Sequence, residues 1–331
     1  MKNILLTTLL LSLALFTGCS SKKVFDPENT GDSWNKYESI GDDIIDITST
    51  GALLDNRKVL GRETKIDVEI AEDYRLIANT DGWIISATID GKVKLQSIED
   101  KNKAEAFELK KTIASASVEN DILAVLFADN EMGLYSIASK ELLMKEKVGE
   151  SLAIDSRIAS PYFVGGVVIF PTLDGKIVIL NPTTKKRLRT TIVSSEDNFN
   201  NILYFNVIEE KVIAATAHKI LSLDKKESRA KYEIRNIAFN GKNLFVATKQ
   251  GEIVSLTANL ELKAKLKFPF AHFLGVIAKD DKVYILEKEG YMIVAPADLS
   301  SYSVHSVSLD EGFVFVTDKG FFVNDELISI E

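Results

Sequence analysis

The segment from Gly165 to Thr190 reads GGVVIFPTLDGKIVILNPTTKKRLRT and contains two apolar, β-branched runs separated by the dipeptide Asp174-Gly175. Asp-Gly between two such runs is the strongest short-range signal for a β-hairpin. A polar turn around Asn181-Pro182 and a third short run follow. The segment therefore predicts a hairpin with a type I′ turn, in which both central residues have positive φ, followed by a further strand.

The same hairpin pattern recurs along the chain, which gives eight hairpins in all. The other seven copies begin at Asp43, Gly82, Asp121, Lys211, Lys242, Lys282 and Gly312. Seven of the eight have a glycine at the predicted turn: Gly51, Gly91, Gly133, Gly175, Gly251, Gly290 and Gly320. The remaining copy is predicted to turn at Ala217-His218. A repeat of roughly 30 to 43 residues is typical of four-stranded propeller blades.

These repeats predict an all-β fold, a β-propeller of eight blades, with seven blades as the alternative. The body shows no sustained helical periodicity. A β-sandwich or a β-helix is the competing architecture, but neither is typical of one hairpin repeated eight times. We expect the strands of the first hairpin to complete the ring with the C-terminal segment ending at Ile330, because closure removes free sheet edges.

The N-terminus has the features of an export signal. Lys2 precedes an uncharged apolar run, Ile4–Phe16, which fits a signal peptide and is short for a membrane span. Phe16-Thr17-Gly18-Cys19 resembles a lipobox, with an ordinary secretory signal and a chance cysteine as the alternative. By the sorting rule of diderm bacteria, Ser20 then implies an outer-membrane lipoprotein facing the periplasm. The predicted divisions are 1–18 as signal peptide, 19–33 as lipidated N-terminus (diacylglyceryl and palmitate) and flexible tether, and 34–331 as propeller domain.

Composition narrows the function classes. The formal net charge is −8, which argues against nucleic acid as a partner, since phosphate binding needs clustered Lys and Arg. Cys19 is the one cysteine, so disulfides and thiolate metal sites are excluded. The three histidines, His218, His272 and His305, are far apart and lack metal-ligand or triad spacing. We therefore predict a protein that is not an enzyme, with no catalytic residue, no metal and no cofactor.

The Thr/Ser-x-Asp-Gly hairpins resemble the PQQ-type propeller repeat, most closely in GESLAIDSRIASPYFVGGVVIFPTLDGKIVIL from Gly149 and IRNIAFNGKNLFVATKQGEIVSLT from Ile234. Two groups of exported bacterial proteins carry this repeat, the quinoprotein dehydrogenases and the BamB family. The dehydrogenases hold a quinone and calcium, often under a vicinal disulfide that this chain cannot form. Lipobox, short tether and eight hairpins are similar to the plan of the BamB family.

The resemblance to the BamB family implies a lipid-anchored periplasmic scaffold, an accessory component of outer-membrane β-barrel protein assembly. Its partner would be the periplasmic portion of the central assembly protein. Two alternatives stay open: a peptide- or ligand-binding propeller of another envelope complex, and a degenerate quinoprotein dehydrogenase.

The resemblance also implies candidate partner-binding residues. One inter-blade loop of the family has a Leu-x-Leu-Arg pattern, and this chain has Leu152, Ile154 and Arg157 at that place. The next loop of the family is acidic, and here it contains Glu196 and Asp197. The alternative is that Leu152 and Ile154 are core strand residues and Arg157 is a surface charge. The aromatic run Phe268–Phe273 is interpreted as core packing between blades, with a groove lining as its alternative.

The lipobox-like tetrapeptide makes a direct prediction. Cys19→Ala should abolish acylation and release the protein from the membrane fraction, because the thiol that would receive the lipid is gone. Palmitate labelling and sedimentation measure both effects, with Ser21→Ala as the matched control. Unchanged labelling and sedimentation of the Cys19→Ala variant would contradict the lipoprotein assignment.

Overall fold

Thirty-two strands form eight four-stranded antiparallel sheets in the computed structural model, which describes residues 23–151, 154–196, 198–208 and 210–330. Cys19 and the predicted signal peptide lie outside the described residues. Within those residues, none of the structure is a helix of the length and apolar character needed to cross a membrane.

The chain enters the ring with β1 (Tyr37–Ser39) and then builds seven sheets of four consecutive strands each, which we number blades 1 to 7. The first four blades are β2 (Ile44–Ile47), β3 (Ala52–Leu54), β4 (Lys58–Leu60) and β5 (Lys65–Glu69) in blade 1; β6 (Arg75–Thr80), β7 (Trp83–Ala87), β8 (Lys92–Ser97) and β9 (Ala104–Glu108) in blade 2; β10 (Ile113–Glu119), β11 (Ile122–Phe127), β12 (Glu131–Ser136) and β13 (Leu142–Lys147) in blade 3; and β14 (Tyr162–Val164), β15 (Val167–Pro171), β16 (Lys176–Asn181) and β17 (Lys186–Ile192) in blade 4.

The other strands are β18 (Tyr204–Ile208), β19 (Lys211–Ala215), β20 (Lys219–Leu223) and β21 (Glu227–Lys231) in blade 5; β22 (Ile234–Phe239), β23 (Leu244–Thr248), β24 (Glu252–Leu256) and β25 (Leu262–Lys267) in blade 6; β26 (Phe273–Lys279), β27 (Lys282–Glu287), β28 (Tyr291–Pro296) and β29 (Ser303–Ser306) in blade 7; and β30 (Val314–Thr317), β31 (Gly320–Val323) and β32 (Glu326–Ser329) in blade 8.

The blades are arranged around a common axis. The first strands of successive blades contact each other, as β6 with β10, β22 with β26 and β26 with β30. The first strand of each blade is therefore the inner one and the fourth strand lies on the outer rim. The prediction of an all-β propeller with eight blades is confirmed.

The core consists of eight apolar clusters, one between each pair of neighbouring blades. Strand β11 shows how the sequence builds two of them. Leu123, Val125 and Phe127 pack against blade 2, whereas Ala124 and Leu126 pack against blade 4. Successive side chains of a strand point to opposite faces. Both faces of a middle strand are buried here, so the middle strands are continuous apolar runs.

The ring closes through β1, which supplies the outer strand of blade 8. Tyr37 pairs with Ile328 and Glu38 with Leu327 across β1 and β32. The indole Nε1 of Trp34 also donates a hydrogen bond to the carbonyl of Ser329, at 2.9 Å. The chain does close with its C-terminal strands, but the expected closing element was wrong. The first hairpin belongs to its own sheet, blade 1, and the strand before it closes the ring.

Residues 23–36, which we call the strap, lie along the outer edge of blade 7. Phe25 is 6% exposed, and its ring lies 6.0 Å from that of Phe268 and 5.6 Å from that of Tyr291. Main-chain amides of Gly31 and Trp34 donate hydrogen bonds to blade 7 carbonyls, each at 2.8 Å. The sequence predicts a flexible tether over 19–33, and the structure differs from residue 23 onward because Phe25 finds an apolar site between blades 6 and 7.

The repeated hairpins turn differently from the type I′ prediction. Between β15 and β16 the loop is Thr172–Gly175, where the Thr172 hydroxyl donates to Asp174 Oδ1 at 2.6 Å and accepts from the amide of Lys176 at 3.0 Å. Only Gly175 has positive φ, and a Cβ there would lie 2.4 Å from the carbonyl oxygen of Ser194. This close approach requires glycine.

Two other turn predictions have mixed outcomes. Gly133 lies inside β12, so its assignment as a turn glycine is wrong, and Asn130 with φ of 62° makes that turn instead. Asparagine is one of the few residues that tolerate this conformation. The glycine-free turn at Ala217-His218 is confirmed between β19 and β20.

The pairing of β1 with β32 should contribute to the free energy of unfolding. Ile328 is 1% exposed in the strand that pairs with β1, so Ile328→Ala should lower the free energy of unfolding by about 2–5 kcal/mol through lost burial and a cavity. Ile192→Ala is the control, because Ile192 is 50% exposed and should change stability by less than about 0.5 kcal/mol. Denaturant unfolding followed by circular dichroism compares the two, and equal unfolding midpoints would contradict closure by β1 and β32.

Candidate functional site

The antiparallel order of each blade separates its connections onto two faces of the ring. Turns between the second and third strands lie on the same face as the connections from one blade to the next. We call this the connection face. It carries both loops that the sequence singles out, 148–161 before blade 4 and 193–203 before blade 5, in their described parts.

Asn201 holds these two loops together. Its side chain is fully buried, accepts a hydrogen bond from the amide of Asp155 at 2.7 Å, and donates to the carbonyls of Asp155 and Arg157 at 3.1 and 2.7 Å. The amide of Ala159 then donates to the carbonyl of Ile202 at 3.0 Å. The structure therefore brings the two predicted loops into contact, although they are about forty residues apart in sequence.

The guanidinium group of Arg157 donates hydrogen bonds to other groups of the protein. Its Nε and Nη2 donate to the two carboxylate oxygens of Asp155 at 2.8 and 2.6 Å, and its Nη1 donates to the carbonyl of Arg235. Burial would raise the pKa of Asp155, but the hydrogen bonds from Arg157 hold that pKa below its usual value. Burial and the nearby positive charge of Arg157 lower the pKa of Arg235. Through these contacts Arg157 fixes the conformation of the loop. Its partner-binding role stays a prediction.

Ile154 projects from the shaped loop. Its side chain is 39% exposed and lies outside any strand. The alternative that Ile154 is a core strand residue is therefore wrong. Leu152 and Asp197, the two other predicted partner-binding residues of these loops, lie outside the described residues.

Glu196 makes an ion pair with Lys219, with a carboxylate–Nζ distance of 2.8 Å. The hydrogen bond from Lys219 lowers the pKa of Glu196, which favours the ionised carboxylate. Asn200 accepts a hydrogen bond from the amide of Glu196 at 3.1 Å and donates to its carbonyl, which fixes the start of the loop. Glu196 is exposed and its charge is balanced by Lys219, and its partner-binding role stays a prediction.

Phe199 is the apolar residue of this site that the sequence interpretation missed, and Lys219 was missed as well. Phe199 is 46% exposed at φ of 56°, a conformation that a bulky side chain rarely adopts. It lines a depression of about 380 Å³ together with Glu196, Asn198, His218, Lys231 and Glu233. An aromatic residue inside the polar run SSEDNFNN, residues 194–201, was the available signal.

We call Ile154, Glu196, Phe199 and Lys219 the docking cluster. Ile154 and Phe199 are exposed apolar side chains on two loops that Asn201 ties together, and the Phe199 loop also carries Glu196 with its ion pair to Lys219. Apolar anchors with a polar rim are the composition of a small protein-binding patch. The nearby His218 Nδ1 lies 3.3 Å from a Glu233 carboxylate oxygen. Among the described residues, none of the His, Cys, Asp and Glu side chains form a group of three that could hold a metal ion.

The Asp155–Arg157 pair should make stability depend on pH. The pKa of Asp155 is lower in the folded chain than in the unfolded chain. Its carboxylate therefore stabilises the fold above the unfolded-state pKa of about 3.9, and this contribution is lost as the pH falls through the folded value. Asp155→Asn should cost about 1–3 kcal/mol at pH 7, because a charged hydrogen-bonding partner is lost.

Thermal melting of wild type and Asp155→Asn between pH 7 and pH 3 measures this effect. The difference should shrink below about pH 4, because the Asp155 carboxyl group of the unfolded chain is protonated there before that of the folded chain. Asp73→Asn, at an exposed position, is the control, and its melting temperature should equal that of wild type at every pH. A difference that is the same at both ends of the pH range would show that the ion pair contributes nothing.

Solved structures share this architecture. The structure of BamB from Moraxella catarrhalis matches with a TM-score of 0.66 and 13% identity, over 87% of this chain and 95% of that one. At this identity the likeness establishes the fold, and the BamB-like propeller expected from the sequence is confirmed at that level. No protein-family model matches the chain.

Sequence relatives identify a different family from the one that the repeats resemble. The plasminogen-binding protein PgbB of Helicobacter pylori strain J99 is 30% identical over 368 aligned residues, which cover 95% of this chain and 68% of the relative. PgbB of Helicobacter pylori strain 26695 is 29% identical over 95% of this chain and 67% of the relative. With this identity across nearly its whole length, the chain belongs to the PgbB family.

Proposed function

We propose that this protein is a lipid-anchored, non-enzymatic scaffold of the cell envelope that binds a protein partner through the docking cluster. The observation that carries the proposal is Phe199, an apolar ring held exposed in a strained backbone conformation. Strained conformations persist where the surrounding structure enforces them, and they concentrate at functional sites. Here Asn200 and Asn201 fix the chain immediately after Phe199.

The surroundings of Phe199 suit protein recognition. Ile154 supplies a second apolar anchor on the neighbouring loop, which Asn201 ties to the first. Glu196 and Lys219 neutralise each other at the edge, so a partner does not have to bury an unpaired charge. Aromatic anchors inside a polar rim are typical of interface hot spots.

The proposed location is the periplasmic side of the outer membrane, with Cys19 as the lipidated residue. It rests on the lipobox-like Phe16-Thr17-Gly18-Cys19 and on Ser20 after the cysteine. A diacylated cysteine provides the two acyl chains that stable anchoring takes. Within this location, an accessory role in outer-membrane β-barrel assembly is the first candidate function, supported by the plan of lipobox, short N-terminal segment and eight blades.

Plasminogen binding is the second candidate function. It is favoured by the 30% identity to a protein named for binding plasminogen, across 95% of this chain. Both candidates require an exposed protein-binding surface, and the docking cluster supplies one. They differ in the partner, which one set of variants can identify.

The test uses Ile154→Ala and Phe199→Ala in the mature protein. If they are hot-spot residues, each truncation should weaken partner binding by about 2 kcal/mol, roughly thirtyfold, while the melting temperature is unchanged. Ile89→Ala is the matched control, because Ile89 is 77% exposed on the same face at the blade 2 turn.

Binding is measured against plasminogen and against protein that co-purifies from detergent-solubilised outer membranes, identified by mass spectrometry. Loss with plasminogen alone assigns the second candidate, and loss with the assembly protein assigns the first. If both variants bind as well as Ile89→Ala does, the docking cluster is not the interface. Arg157→Ala belongs in the same set, and there we expect lowered melting because its hydrogen bonds hold the loop.

A further inference from the structure

The strap determines where the chain leaves the propeller. Phe25 is packed on Phe268 and Tyr291 between blades 6 and 7. Two residues earlier, Lys23 places its ammonium group 5.4 Å from the centre of the Phe270 ring. The chain therefore meets the body at the outer rim of the connection face, beside Phe270.

This exit point lies close to the proposed lipid. Four peptide units separate Cys19 from Lys23, and a fully extended chain of that length reaches at most about 14 Å. A lipid on Cys19 therefore brings the membrane surface to within this distance of Lys23, whatever path those residues take. The rim around Phe270 becomes the part of the propeller nearest to lipid.

Phe270 is built into the rim as an exposed aromatic tip. The turn Phe268-Pro269-Phe270-Ala271 is closed by the amide of Ala271, which donates to the carbonyl of Phe268 at 3.2 Å. Phe270 occupies its third position with φ of 66° and is 58% exposed. Glycine or asparagine is favoured at such a position. More than half of the Phe270 side chain stays exposed within the chain, so its ring is available for an apolar phase outside it.

The outer strand next to this turn is basic. Lys265 and Lys267 are two residues apart in β25 and lie on one face of the strand. Lys263 lies at a register shift of the same strand, and all three side chains are exposed. Glu252 lies 3.1 Å from Lys265 and 3.9 Å from Lys267, so it neutralises at most one of the three charges. This cluster belongs to a chain whose net charge is −8. Lys267 ends the strand directly before the turn that carries Phe270, and Lys263 and Lys265 extend the exposed positive charge along β25.

We propose that the membrane rim, formed by Lys23, Lys263, Lys265, Lys267 and Phe270, rests on an anionic phospholipid surface with the Phe270 ring at the lipid interface. The proposal rests on the lipid anchor at Cys19 proposed above. Basic residues near an anionic leaflet and an aromatic ring at the headgroup level are the two interactions that hold peripheral proteins on membranes. The anchor then fixes an orientation as well as a location.

The test exploits the single cysteine. In the acylated protein the Cys19 thiol is consumed by lipid, so Phe270→Cys can be labelled selectively with an environment-sensitive fluorophore. Ile89→Cys is the matched control, an exposed apolar tip on the same face, four blades away. Both proteins are reconstituted into vesicles of phosphatidylglycerol and phosphatidylethanolamine. We expect a blue-shifted emission and quenching by brominated lipid at position 270 and neither effect at position 89.

Charge reversal tests the basic strand. The triple change Lys263→Glu, Lys265→Glu and Lys267→Glu should lower the lipid-contacting fraction of the label at 270 by at least about tenfold, since each lysine near an anionic surface contributes about fivefold. The control reverses three exposed cations on the outer strand of blade 4, Lys186, Arg187 and Arg189, and should have no effect. Equal loss in both triples would overturn the assignment to β25.

Flotation and the mass of the Cys19 peptide separate the two proposals. Acylated protein that floats with vesicles while both labels stay in water overturns the membrane rim and leaves the anchor intact. Equal blue shifts at 270 and 89 overturn it as well, because the whole connection face would then meet lipid. A shift at 270 that needs added protein assigns the rim to a protein partner. Unacylated protein that does not float overturns both proposals.

Discussion

Apolar packing between neighbouring blades is the interaction on which the structure depends. Each blade is a four-stranded sheet whose middle strands are buried on both faces, as Leu123 and Ala124 of β11 show by packing against blades 2 and 4. A single blade therefore has two apolar faces and cannot bury either one alone. Stability comes from the eight interfaces together, and all eight exist only in a closed ring.

Closure makes the N-terminal segment part of the core. β1 completes blade 8, and without it β32 would present an unpaired strand edge. The strap that precedes β1 covers the outer strand of blade 7 and adds Phe25 to the cluster between blades 6 and 7. The strap and β1 together thus contact blades 6, 7 and 8. These contacts hold the strap on the propeller although its sequence is polar and rich in residues that favour turns.

Local pattern predicted much of the fold, because each hairpin is defined by residues close in sequence. The segment Gly165–Thr190 contained β15, β16 and most of β17, the turn between the first two, and apolar residues of two interfaces. The errors arose where the deciding contact is distant or the turn residue is unusual. Phe25 looked like tether because its partners lie more than two hundred residues away, and Asn130 makes the turn that was assigned to Gly133.

The candidate site was harder to predict for a related reason. The aromatic run Phe268–Phe273 was interpreted as core packing between blades. Phe268 and Phe273 are buried, but Phe270 is exposed, so the interpretation is wrong for that residue. Periodicity identifies aromatic residues that alternate into a core. It cannot identify a ring that a turn holds outward, as at Phe199 and Phe270, because φ depends on the surrounding hydrogen bonds. The loop residues Ile154 and Arg157 were found by resemblance, but the split of roles between them depends on Asp155, Asn201 and Arg235.

The geometry of the propeller fixes the positions of the two exposed phenylalanine side chains, Phe199 and Phe270, relative to each other. Phe270 and the strap lie at the junction of blades 6 and 7, and Phe199 lies before blade 5 on the same connection face. Rigid interfaces between the intervening blades fix the angle between these two positions, since close-packed cores deform little. A membrane contact at the rim therefore sets the direction in which the docking cluster points. With the rim on lipid, Phe199 lies to the side of the membrane contact and stays open to a partner that is itself embedded in, or bound beside, the same membrane.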